Sequence, residues 1–148
     1  MPEIRNLEIS LNKLTGTLPP TGYGAGQLGV LRLNGNNFTG PIPSELSNLS
    51  NLELLNIGNN KFTGTIPEFL GTMPRLQFIN LLESGLTGRI PDSFCWNDRN
   101  PTDYVSIVAE CATIELCECC SNQQFTFAPI RVRCAEDIPA QAMGFIEN

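Results

Sequence analysis

The stretch "LNGNNFTGPIPSEL", residues 33 to 46, sets two prolines, two glycines and three asparagines among the apolar residues Leu33, Phe38, Ile42 and Leu46. Turn-formers and core residues interleave this closely where each short element is followed at once by a bend. The stretch is one copy of a repeat. "LEISLNKLTGTLP" begins at Leu7, "LRLNGNNFTGPIP" at Leu31, "LNIGNNKFTGTIP" at Leu55 and "INLLESGLTGRIP" at Ile79, each start 24 residues after the last. A fixed period of this length marks a solenoid, in which one small unit buries its apolar face against the next.

Inside each copy the first and third residues are apolar: Leu7 and Ile9, Leu31 and Leu33, Leu55 and Ile57, Ile79 and Leu81. That period-2 pattern predicts a short strand near residues 7 to 9, 31 to 33, 55 to 57 and 79 to 81, with one face buried. Three residues further stand Asn12, Asn36 and Asn60, whose amides can turn the chain and bond to backbone groups of the neighbouring coil. Ser84 replaces the asparagine in the fourth copy, so the ladder is expected to weaken there. A column of large apolar residues follows, Leu14, Phe38, Phe62 and Leu86, then Thr-Gly in all four copies and Leu-Pro or Ile-Pro. The glycines Gly16, Gly40, Gly64 and Gly88 suit a tight bend, and the prolines end pairing and open the next segment. Leu46, Leu49 and Leu52, and Leu70, Met73 and Leu76, then recur three apart, as in a short helical or 3₁₀ turn. The corresponding first segment, "PTGYGAGQLGVL", has Gly22 and Ala25 at such positions and predicts a looser loop.

These residues resemble the leucine-rich repeats, in the 24-residue form L-x-x-L-x-L-x-x-N-x-F/L-T-G-x-I/L-P of plant receptor-like kinases and polygalacturonase-inhibiting proteins. The resemblance covers about residues 4 to 94. It implies an α/β solenoid: a right-handed superhelix with a parallel sheet on the concave side and short helical or 3₁₀ turns on the convex side. It also implies binding rather than catalysis.

From residue 95 the repetition stops. Residues 1 to 94 are read as the repeats, 95 to 120 as a cysteine-rich C-terminal cap and 121 to 148 as a tail. "TIELCECC" alternates, with Ile114, Leu116 and Cys120 on one side and Cys117 and Cys119 on the other, which predicts a last strand laid on the sheet. The order F-C-W, E-C, C-x-C-C is similar to the cysteine-rich ends of leucine-rich repeat proteins in diatoms, where a second cysteine pair commonly follows. Here Ser121, Asn122, Gln123 and Gln124 stand instead, and Cys134 is a candidate for the missing partner.

The six cysteines Cys95, Cys111, Cys117, Cys119, Cys120 and Cys134 admit disulfides, a zinc site or free thiols. A C-x-C-C run without histidine lacks the C-x-x-C spacing of common structural zinc sites, which favours disulfides and an oxidising compartment. A Cys119–Cys120 bond would need a strained ring. Two sequons, at Asn37 and Asn48, agree with an extracellular or cell-surface location and glycosylation. No apolar signal segment opens the chain, because "MPEIRNLEIS" carries Glu3, Arg5 and Glu8, and no N-terminal cap shields Ile4 and Leu7. Both features are expected of the C-terminal part of a longer protein, or of a reading frame whose start is assigned too late.

Other classes of function fit poorly. The net charge is −6, with no block of lysines or arginines to follow a phosphate backbone, so nucleic acid is not an expected partner. The longest uncharged run, Leu14 to Leu31, is broken by glycine, proline and threonine, so no membrane insertion by this segment is expected. The chain contains no histidine, which removes Ser-His and Cys-His pairs and most catalytic zinc sites. The carboxylates fall on different phases of the repeat, and no Gly-rich phosphate loop occurs. The chain therefore reads as no enzyme, without cofactor or metal.

Two classes remain: a recognition module binding a protein, peptide or carbohydrate ligand on its concave face, or a structural, cell-wall scaffold without a specific pocket. The register sets the outward residues as Asn6, Val30, Leu54 and Phe78 in one column, Glu8, Arg32, Asn56 and Asn80 in the next, and Ser10, Asn34, Gly58 and Leu82 in the third. Leu54, Phe78 and Leu82 would then form an exposed apolar patch, with Val30, Arg32, Asn56 and Asn80 beside it as ligand contacts.

Overall fold

In the computed structural model, residues 4–21, 26–95, 105–110, 112–116 and 130–134 are described. Each repeat contributes an inner and an outer strand: β1 Asn6–Glu8 and β2 Thr15–Thr17, β3 Val30–Arg32 and β4 Asn37–Gly40, β5 Leu54–Asn56 and β6 Lys61–Phe62, β7 Phe78–Asn80 and β8 Gly88–Arg89. The inner strands begin one residue before the predicted apolar pairs. They pair in parallel with Leu7 beside Leu31, Leu31 beside Leu55 and Leu55 beside Ile79, so the 24-residue period is the sheet register itself. Leu31, Leu55 and Ile79 are fully buried, as are Leu33, Ile57 and Leu81 two positions on. The fold is the solenoid that the repeats predict, a stack of parallel coils with few helices.

The asparagine column works as its position predicts. The Asn60 amide donates to the carbonyls of Leu33 (3.1 Å), Ile57 (3.1 Å) and Gly58 (3.0 Å), and its oxygen accepts the Phe38 N–H at 3.1 Å. Asn36 repeats this toward Ile9 and Leu14. Asn12 donates only within its own coil, to Ile9 and Ser10. At Ser84 the ladder thins as expected. Its hydroxyl accepts from Leu86 in the same coil, and the Phe62 N–H turns to the Ser84 backbone carbonyl at 2.9 Å. Beside this break a shallow dent opens, lined by Glu83, Ser84, Thr87, Glu110 and Thr113 among others.

The outer side is more regular than the sequence suggests. β2, β4 and β6 form a second parallel sheet, a Thr65–Thr87 bridge continues it, and β8 pairs onward with the fifth coil. The Thr-Gly motifs thus supply strands as well as bends. Gly16, Gly40, Gly64 and Gly88 all have φ between 77° and 92°, the left-handed region that admits glycine without a Cβ penalty. Between the sheets Phe38 and Phe62 stack at 6.2 Å, an offset geometry favoured by the ring quadrupoles. The outer crossings are a 3₁₀ turn at Ser44–Asn48 and one helical turn at Phe69–Thr72. They bury Leu46, Leu49 and Leu52, and Leu70, Met73 and Leu76, as their spacing predicts. Gly22 and Ala25 of the looser segment lie outside the described residues.

Where sequence repetition ends, the hydrogen-bond ladder does not. β9 Val105–Ala109 joins the inner sheet beside β7, β10 Ile114–Glu115 pairs with β8, and β11 Ile130–Cys134 joins beside β9. This corrects the strand expected from "TIELCECC": Ile114–Glu115 lies in the outer layer, and the inner sheet is continued by "VSIVA" and "IRVRC". Ile79 pairs with Ile107, 28 residues on, and Gly88 with Ile114, 26 on, against 24 and 22 between earlier coils. Both advances grow by four, so the extra residues all fall between β8 and β9. Cys95 and Cys134 are each disulfide-bonded. Cys111, Cys117, Cys119 and Cys120 lie outside the described residues. Among the described residues, no helix is long and apolar enough to cross a membrane.

Candidate functional site

The concave face is built from the middle of each inner strand, because alternate side chains of β1, β3, β5, β7 and β9 point away from the core. Parallel pairing sets Asn6, Val30, Leu54, Phe78 and Ser106 in one row. Neighbouring members sit about 4.8 Å apart. Val30, Leu54, Phe78 and Ser106 are half-buried, and Asn6 is exposed. An apolar strip three side chains long thus lies open at the centre of the sheet, with a polar group at each end. Ser106 was not foreseen, because its coil is out of phase with the 24-residue period.

The next row is Glu8, Arg32, Asn56, Asn80, Val108 and Arg133. At one end Arg32 Nη1 lies 3.4 Å from Glu8 Oε2, which fixes the guanidinium over the first two coils. Exposed pairs of this kind contribute about 0–1 kcal/mol, so this one orients Arg32 more than it stabilises the fold. Asn56 and Asn80 depart from expectation. Each is 3% exposed, and each carboxamide oxygen accepts the N–H two residues on, Gly58 at 3.3 Å and Leu82 at 3.0 Å. They hold the strand ends in shape and are not open flanking contacts. Val108 is also buried, and Arg133 is exposed.

The third row requires a further correction. Leu82, expected to be outward and open, is 6% exposed, and Asn34 and Gly58 are also buried. The fourth coil is not the end of the sheet, since Leu81 donates to Val108 O at 2.8 Å and β9 flanks it. Leu82 therefore has coils on both sides. Asn34 accepts from Ser10 Oγ at 2.8 Å. A Cβ on Gly58 would lie 2.8 Å from Leu82 O and 3.1 Å from Asn80 Nδ2, so only glycine fits there. Leu11, Asn34, Gly35, Gly58, Asn80 and Leu82 line a shallow dent here. The structure thus brings together Val30, Arg32, Leu54 and Phe78 as an accessible group, and withdraws Asn56, Asn80 and Leu82 into the scaffold. Of the sequon asparagines, Asn37 and Asn48 are both exposed.

Comparison with known proteins places this geometry. The family described as Leucine Rich Repeat matches residues 27–49 and 51–73. No curated sequence matches the chain. Among solved structures, the ectodomain of the Arabidopsis thaliana membrane receptor kinase GASSHO1/SCHENGEN3, in complex with CASPARIAN STRIP INTEGRITY FACTOR 2, is 33% identical with a TM-score of 0.65 over 74% of this chain. The plant peptide hormone receptor RGFR1, in complex with RGF2, is 27% identical with a TM-score of 0.63 over 76% of this chain. A plant ice-binding protein is 29% identical, with a TM-score of 0.64 over 76% of this chain. The chain spans 13% of the first of these, 17% of the second and 35% of the third.

Proposed function

Because the chain is a leucine-rich repeat protein of the plant, 24-residue type, we propose that it is a non-catalytic recognition module that takes a protein or peptide ligand on its concave face. The row of Val30, Leu54 and Phe78 carries this reading. It is apolar, half-exposed and held on adjacent strands, with Arg32 pinned beside it. An aromatic anchor in a rigid, partly dry strip is the usual centre of a binding interface. The plant peptide hormone receptor and the membrane receptor kinase ectodomain described above, each in complex with its partner, support the same choice of partner and an extracellular setting. That setting agrees with glycans at Asn37 and Asn48 and with a disulfide framework among the six cysteines.

The test is a pull-down with the whole chain, followed by titration of the recovered partner against Phe78→Ala and Leu54→Ala. Loss of affinity in both variants supports the reading. Wild-type affinity in both removes the concave strip as the site and favours a scaffold role. A second reading has an observation of its own: the outer sheet presents exposed threonines in register, and one structural neighbour is a plant ice-binding protein. Under that reading the chain binds ice through a surface distinct from the concave strip.

A further inference from the structure

The dent beyond the ends of the inner strands is built differently from the apolar strip. Its floor is the main chain of Gly35 and Gly58, and Leu11 and Leu82 form its apolar walls. Backbone hydrogen bonds lock the coils together around it: Leu11 N–H donates to Asn34 O at 2.8 Å, Gly35 N–H to Gly58 O at 3.1 Å and Asn59 N–H to Leu82 O at 2.8 Å. The floor has to stay bare. Gly35 has a φ of 69° and a Cβ there would meet Leu11 Cδ2 at 2.7 Å, while one on Gly58 would meet Leu82 O at 2.8 Å. A ligand group can therefore come close to the main chain, in a recess that is formed before binding and needs little ordering.

Size and charge select what enters. The recess holds about 50 Å³. One water needs about 10–15 Å³ of such volume, so roughly three or four non-hydrogen atoms fit and an aromatic ring does not. No charged residue lines the recess, so a charged side chain would lose its hydration there without gaining a partner. Leu82 is buried and fixes one wall, whereas Leu11 is exposed and leaves the other side open. Beside them the exposed Asn59 offers a carboxamide that can both donate and accept, and among the described residues nothing bonds to it. A short aliphatic branch beside a main-chain amide is what a valine or leucine residue of a peptide presents to such a recess. Gly58 and Leu82 stand four residues after Leu54 and Phe78, and the parallel pairing continues that far, so the recess lies about 13 Å from the strip. An extended peptide covers that span in four residues, with both side chains toward the protein. We propose that the recess is a second subsite of the concave face, taking the side chain of a valine or leucine four residues from the ligand residue that rests on Phe78. The assignment rests on the peptide-binding reading above and gives it a side-chain preference.

The experiment titrates the whole isotope-labelled chain with two acetylated peptide amides, Phe-Ser-Gly-Ser-Val and Phe-Ser-Gly-Ser-Gly, and follows the shifts by nuclear magnetic resonance. The first peptide should move the signals of Gly35, Gly58 and the Asn59 carboxamide together with those of Leu54 and Phe78, and the second should bind about tenfold more weakly. Leu11→Lys, at an exposed side chain, should abolish the preference for valine, and Asn59→Gly, which suits the φ of 51° there, should weaken the first peptide. Phe78→Ala should weaken both peptides by the same factor. Circular dichroism checks that the variants fold. Equal binding of the two peptides, or shifts at Leu54 and Phe78 with Gly35 and Gly58 unmoved, overturns the subsite and leaves the concave reading standing. Shifts at Gly35 and Gly58 that Phe78→Ala does not weaken support the recess and overturn the strip. Silence at both places throughout the titration overturns both.

Discussion

Replacing Asn60 by alanine gives the sharpest test of how the coils are held together. The side chain is 9% exposed and makes four hydrogen bonds, of which two have substitutes: Leu33 O retains the Asn36 amide, and Gly58 O retains the Gly35 N–H. Phe38 N–H and Ile57 O lose the partner that Asn60 gave them. An orphaned buried backbone group costs about 1–3 kcal/mol, so Asn60→Ala should lose roughly 3–4 kcal/mol. With a urea slope of about 2 kcal/mol/M, the midpoint should fall by about 1.5–2 M. Asn12 occupies the same repeat position but is exposed and bonds only within its own coil, so Asn12→Ala should stay within about 0.5 kcal/mol of wild type. Ser84→Ala removes one bond to Leu86 and should fall between them, near 1 kcal/mol. Urea titration followed by circular dichroism measures all three. Equal losses at Asn12 and Asn60 would refute the claim that the column stabilises by bridging coils.

The remaining predictions concern other layers. Leu81→Ala and Leu82→Ala should each lose about 2–5 kcal/mol because both side chains are buried, whereas Phe78→Ala should leave the melting temperature nearly unchanged. Gly64→Ala should cost about 1–2 kcal/mol through its φ of 87° alone, since no atom lies near the added methyl, and Gly64→Asn should recover part of that loss in the same urea titration. Gly58→Ala should destabilise by collision with Leu82 and Asn80, and Gly58→Asn should be no better. A thiol assay on the unreduced protein should find no free cysteine, and a chelator should leave the melting temperature unchanged. Stoichiometric zinc would contradict the disulfide reading. Amide exchange should be fastest in the first coil, where Ile4, Leu11 and Leu14 are exposed, and slowest over residues 55 to 81.

The inner sheet was legible because its signal is chemical: buried leucine and isoleucine two residues apart, repeating every 24, leave one register. The asparagine ladder was legible for the same reason, since a carboxamide at a fixed phase has few roles. The outer sheet was not, because Thr-Gly-x carries no apolar alternation. Its strands arise from backbone pairing with glycine at positive φ, which residue type alone does not separate from a turn. Leu82 was misplaced because alternation was extended one step past the strand, while the chain turns at Glu83, whose φ is 51°. Asn56 and Asn80 stand where alternation along the strand points outward, yet each is buried with its carboxamide oxygen on the N–H two residues on. The fifth coil was hidden by its four extra residues. Ile107, Ala109 and Ile114 follow Ile79, Leu81 and Leu86 at a spacing of 28, which a search at 24 passes over. The sixth inner strand, at Ile130–Cys134, carries arginines at alternate positions and no repeat motif.

Those four residues between β8 and β9 also identify where the polypeptide accepts foreign material. The columns Ile79–Ile107 and Leu81–Ala109 stay in step on either side of them. A graft at this point, whether a tag, a fluorophore-bearing loop or a whole domain, alters only the path between two strands whose pairing is already fixed. Closing a longer loop adds little, about 0.6 kcal/mol for each doubling of its length. An insertion of one residue between Leu55 and Ile57 would instead turn every later side chain of that strand to the opposite face. The molecule is thus tolerant of additions between two strands whose pairing is fixed and intolerant of them within a strand.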